Sequence, residues 1–247
     1  MSAAVDAGIV RAHRDGVVTS TTLMVGGLSA VPALERVGRE APRLAVGLHL
    51  DLTALRPGGA LAVVQALAGI SGDEVEAACE AQVARFHELA GRAPDHLDCH
   101  QHLAHFHPVT FAAYLTVARR HGLPVRSPAP FLEARALRSF LARVERENGV
   151  ALGAALAMPP GVLAPSLAAV WAGSGVRAPQ AFVHEFYGSM AVSARLCEIA
   201  RAAGEGVTEV MCHPREDAPE LAALTDPAVR VALAEAGVEL ATFADVN

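Results

Sequence analysis

Aromatic residues are scarce in this chain: one Trp, two Tyr and eight Phe account for 4% of 247 positions. Its interior must therefore be built from small alanine and valine faces packed closely. The four cysteines (Cys79, Cys99, Cys197 and Cys212) contain no CxxC pair, so a zinc finger or disulfide scaffold is not expected and four reduced thiols are. No run of lysine or arginine occurs and the net charge is −6, which argues against nucleic acid or an anionic membrane surface as a partner. The chain lacks the roughly 18 uninterrupted apolar residues of a membrane span, and no basic segment followed by an apolar stretch and a cleavage site opens it. No stable membrane insertion and a cytoplasmic location are the expectations. What is present is a 52% hydrophobic, 19% charged composition, that of a compact globular protein. Its length suits one large core and a single domain over residues 1–247.

Short apolar runs alternate with longer amphipathic stretches. Strands are predicted at 17–25, 44–52, 96–100, 124–127, 207–212 and 238–242, and helices at 30–39, 73–90, 110–121, 132–147, 189–203 and 227–236. This alternation implies βα units and a parallel sheet. No glycine fingerprint for a dinucleotide follows any strand, which favours a barrel over a Rossmann domain. Residues 128–181, punctuated by Pro-Ala-Pro and Met-Pro-Pro-Gly, read as an irregular insertion or lid.

Three of the predicted strands carry polar, metal-capable residues near their C-terminal ends, where barrel enzymes build active sites. Side chains alternate along a strand. In VGLHLDL this places His49 and Asp51 on the face of Gly47, opposite Val46, Leu48 and Leu50. In HLDCHQH, His96, Asp98, His100 and His102 share a face, and in EVMCHP so do Glu209, Met211 and His213. The segment HLDCHQHLAHFHP holds five histidines in a dozen residues, and imidazole is the commonest ligand of borderline divalent metals. Within it, His105 and His107 precede a predicted helix and are read as structural.

The runs AHRDGVVTSTTLMVGG, GLHLDLT, HLDCHQHLAHFHP, GLPVRSP and EVMCHP follow one another in the order and spacing of the YdjC-like deacetylases, which this chain resembles over nearly its whole length. That family includes chitooligosaccharide deacetylases and relatives implicated in hopanoid synthesis. The resemblance implies an α/β fold, a distorted (β/α) barrel of the polysaccharide-deacetylase-like type. The implied activity removes an N-acetyl group from an amino sugar, oligosaccharide or glycolipid with one divalent metal ion, magnesium or zinc. His49 and His100 match metal ligands and His213 matches the catalytic general acid. Arg126 matches an arginine that orients a carboxylate or the substrate. Asp98 is then expected beside His100, as a carboxylate holding a metal-bound histidine.

Family members open with an apolar strand ending in a motif like ADDFG, whose aspartates supply a metal ligand and the general base. Met1-Ser2-Ala3-Ala4-Val5 matches the residues just after that motif, so the chain is expected to lack this strand, with Met1 an internal methionine and activity impaired. Asp6 falls on the first helix and is not taken as a substitute; Asp51, on the His49 face, is the nearer replacement. Two other functions compete with this reading. One is an amidohydrolase-like enzyme using His100 and His102, a pair that would normally end the first barrel strand. The other is a catalytically inactive carbohydrate-binding or regulatory barrel protein. A homodimer is compatible with the sequence.

Overall fold

A computed structural model describes residues 3–247; the expectation that rests on Met1 and Ser2 lies outside the described residues. Helix α1 (Ala3–Arg14) leads into β1 (Ser20–Leu23), α2 (Ala30–Glu40) and β2 (Ala45–Leu50). Helices α3 (Gly59–Ala66) and α4 (Gly72–Ala90) follow, then β3 (Leu97–Cys99) and α5 (Pro108–Arg120). Four helices come next: α6 (Ala129–Leu132), α7 (Ala134–Asn148), α8 (Leu152–Ala155) and α9 (Pro160–Ala172). The chain continues through β4 (Ala181–Val183), α10 (Ser193–Ala202), β5 (Thr208–Val210), α11 (Pro219–Leu224) and α12 (Pro227–Glu235).

Local chemistry explains several boundaries. The Ser71 hydroxyl accepts from Glu74 N at the start of α4, and Gly91 ends that helix in the left-handed conformation. Pro108 and Pro227 occupy first-turn positions, where a missing N–H costs nothing, after the capping side chains of His107 and Asp226.

The strands form two parallel sheets, β1-β2-β3 and β4-β5, and among the described residues these do not join into a closed barrel. Val125 makes one parallel bridge to Leu97, so the strand expected at 124–127 is reduced to a single contact. The strand expected at 238–242 is absent. Its alternation is right, but it finds no ladder partner, and its carbonyl at Ala241 accepts the Thr19 hydroxyl instead. Residues 128–181 are helical for most of their length. Phe131, Leu137, Phe140, Leu163 and Leu167 from this segment lie in the same buried cluster as Leu48, Leu50 and Leu97. A second, smaller cluster gathers Val10, Leu196, Leu221, Leu224 and Val229 from α1 and α10–α12. No helix among the described residues is long and apolar enough to cross a membrane. All four cysteines are free, and burial pushes the Cys79 thiol up to about 12.

Among the glycines held by close approach, Gly47 lies nearest the candidate ligands. A Cβ on Gly47 of β2 would fall 2.5 Å from the His96 ring, which stacks on Phe243 with centroids 3.6 Å apart. Gly47→Ala is expected to destabilise the fold by about 1–3 kcal/mol, the usual cost of overpacking. A Tm equal to that of the parent in a thermal melt would show that this ring has room to move.

Candidate active site

The parallel pairing of β2 with β3 sets His49 opposite Asp98. His49 lies one residue before the end of β2, and His100 directly follows β3, so both imidazoles emerge at the C-terminal edge of the sheet. The Asp98 Oδ1 atom accepts from His49 Nδ1 at 2.7 Å. That bond leaves the lone pair of His49 on Nε2, which lies 3.3 Å from His100 Nδ1. The family resemblance implies Asp98 beside His100. The register corrects this, because the residue directly across from Asp98 is His49.

Asp98 is almost wholly enclosed, and its second oxygen lies 2.8 Å from Arg126 Nη1. Arg126 also donates from Nε to Glu209 Oε1 of β5 at 2.6 Å. Burial pushes the Asp98 carboxyl up, but His49 and Arg126 together hold it well below the usual carboxylate range. Burial likewise raises Glu209, a rise that Arg126 only partly offsets. The His100 pKa is lowered, first by burial and then by His49.

His213 follows β5, and its backbone N–H donates to Glu220 Oε1 at 2.5 Å. The residue as a whole is exposed, and Tyr187 stands edge-on to its ring at 5.5 Å between centroids. Surrounding protein and then the Arg126 charge lower its pKa. A cavity of about 890 Å³ opens between β1 and β5, and His49, Asp98, His100, Arg126, Glu209 and His213 all line it. Its far wall is apolar, from Val17, Leu196, Ile199, Leu233 and Leu240.

The remaining histidines of the cluster disperse. His107 caps α5, its Nδ1 accepting from Val109 N. Gln101 and His102 take positive φ values of 51° and 57°, which turns the His102 ring off the strand face and into an aromatic box with Phe131, Phe140 and Phe182. His105 stacks on Phe131, and neither of its ring nitrogens has a hydrogen-bond partner. Burial pushes its pKa down to about 4, so the fold holds a neutral ring. The corresponding stability is complete above the unfolded value near 6.5 and is lost as pH falls toward 4. That loss amounts to about 3 kcal/mol. His105→Leu is expected to flatten the decline in Tm between pH 6.5 and 4; an unchanged decline would place the acid sensitivity elsewhere.

The His49–His100 separation suits an ion. Two nitrogens bound at about 2.1 Å to one tetrahedral centre lie about 3.4 Å apart. Among the described residues, no group of three or more His, Cys, Asp or Glu side chains is arranged to hold a metal. The pair thus fits as two ligands, with the rest of the coordination left to water, substrate or another donor. Asp51 does not join it as a third: its Oδ1 accepts from Thr53 N at 2.8 Å and from the Thr53 hydroxyl at 2.6 Å, closing the turn after β2. Asp6 lies on α1.

The profile of the YdjC-like protein family matches residues 1–235. The chain belongs to the YdjC-like family. Among relatives, a chitooligosaccharide deacetylase of Citrobacter koseri is 32% identical over 271 aligned positions, covering 97% of this chain and 92% of the relative. The protein of the same description from Salmonella paratyphi B is 29% identical with the same coverage. A crystal structure of a candidate cellobiose-phosphate cleavage protein from Enterococcus faecalis V583 superposes with a TM-score of 0.70 at 24% identity. It covers 98% of this chain and 93% of the other. That likeness establishes a shared fold. Glu209 is the residue of this YdjC-like site to which sequence reasoning gave no role. Alternation put it on the face of His213, but its partner Arg126 lies 83 residues away.

Proposed function

We propose that this chain is a metal-dependent carbohydrate N-deacetylase, a hydrolase that removes the acetyl group from an N-acetylated amino sugar, oligosaccharide or glycolipid. The observation that carries the reading is the 3.3 Å approach of His49 Nε2 to His100 Nδ1 at the end of parallel strands, in a cavity shared with His213. The names of the Citrobacter and Salmonella relatives support the same substrate class. The two sheets are read as arcs of one distorted (β/α) barrel.

His49 and His100 would hold a zinc or magnesium ion, which when bound polarises the acetyl carbonyl and lowers the pKa of water. Asp98 keeps His49 in the tautomer that presents Nε2, and Arg126 keeps Asp98 charged. His213, which follows β5 of the other sheet and lines the same cavity, would protonate the departing sugar amine. Asp98 and Glu209 are both committed to Arg126, and Asp98 also to His49. Neither is free to take a proton from water, so turnover by this chain is expected to be slow. The test is acetate release from an N-acetylated chitooligosaccharide with zinc or magnesium titrated in. Metal-stimulated release supports the proposal, and sugar binding without release at any metal concentration refutes it.

A further inference from the structure

We propose that Glu209 is a positioning residue for the two-histidine site, holding Arg126 so that Asp98 remains available to His49. The inference rests on the reading of His49 and His100 as ion ligands. Four side chains from both sheets form a continuous series. Glu209 of β5 contacts Arg126 at 2.6 Å, Arg126 contacts Asp98 of β3 at 2.8 Å, and Asp98 contacts His49 of β2 at 2.7 Å. All but the last are deeply enclosed, with side-chain exposures of 10% for Glu209, 13% for Arg126 and 1% for Asp98.

A buried ion pair is a weak device for stability, because apolar residues of similar volume serve as well or better. Its value here lies in geometry. The guanidinium fork matches a carboxylate best when two parallel N–H groups meet both oxygens. Arg126 does not meet Asp98 that way. Its Nε is taken by Glu209 Oε1, and Nη1, which also donates to Met211 Sδ at 3.9 Å, approaches just one of the Asp98 oxygens, Oδ2, without an aligned hydrogen bond. Glu209 is itself steadied by Ser127 N at 3.4 Å, and Phe182 lies under the guanidinium at 5.2 Å. Without Glu209, Arg126 is free to rotate and grip both oxygens of Asp98, competing with His49 Nδ1–H for Oδ1. The His49 ring then loses the bond that fixes its tautomer and aim.

Zinc binding to the full chain, measured by calorimetry with zinc ions alone, tests this. Glu209→Met keeps the packing but cannot accept from Arg126 Nε, and is expected to weaken zinc affinity about 10–100-fold, the usual effect of losing an outer partner of a ligand. Glu209→Gln can still accept from that nitrogen and is expected to restore most of the affinity. The downfield proton resonance of His49 Nδ1–H should persist in the Gln variant and vanish in the Met variant. In an Asp98→Asn background, Glu209→Met should change the affinity little, because the effect passes through Asp98. Parent-like zinc affinity in Glu209→Met, with affinity lost in His49→Ala, overturns the inference alone. Parent-like affinity in His49→Ala overturns the two-histidine reading and the inference with it.

Discussion

Removing either imidazole, by His49→Ala or His100→Ala, is expected to weaken ion binding by more than about 100-fold. On the proposed reading each variant deletes a direct ligand, and losing even an outer partner costs about 10–100-fold. The effect should be large because the described residues bring no third metal-capable side chain to the pair. A single remaining imidazole is then an ordinary surface histidine in its affinity for zinc. Neither change should unfold the protein, since His49 and His100 lie at the cavity wall, outside both apolar clusters. Metal content by elemental analysis after dialysis, read beside a thermal melt, gives the result. A variant that keeps its ion at parent stoichiometry removes that histidine from the ligand set.

His213→Ala should do the opposite, sparing the ion and cutting turnover by about 10²–10⁴-fold, the range for a lost general acid. It is separated from the proposed ligand pair in the chain and follows β5 of the other sheet, with its backbone N–H held by Glu220 of α11. The expected signature is a fall in kcat with little change in KM, because the proton is delivered in the transition state and not during binding. Acetate release under saturating substrate measures it. A parent-like rate would leave His213 as a neighbour of Tyr187 with no part in the chemistry.

The ligand face was legible because strand alternation is a strict local rule: Gly47, His49 and Asp51 had to share one side, as did Asp98 and His100. The choice between His49 and His100 as partner of Asp98 was not, because it depends on the register between β2 and β3. Local pattern was equally blind to Arg126 meeting Glu209, since the two side chains come from separate parts of the fold. The prolines of 128–181 read as breakers, yet Pro160 sits in the first turn of α9, where its geometry is favoured. Pro165 is carried within that helix. His102 and His105 share a histidine cluster in sequence but are drawn into an aromatic box, supplied partly by Phe131 and Phe140 from later in the chain. Residues 238–242 show the limit of periodicity: an alternating segment becomes a strand only when another backbone lies alongside it.

The division of the interior into two apolar clusters also divides the proposed site. The backbone bearing His49 and His100 is anchored in the larger cluster through Leu48, Leu50, Leu97 and Cys99, whereas Val210 and Cys212, just before His213, pack on the smaller. Regions with separate cores can open separately. If His213 is the proton donor proposed above and His49 and His100 hold an ion, a lesion in α10–α12 is expected to silence the first while the second persists, giving a protein that is loaded, folded around its sheet and inert.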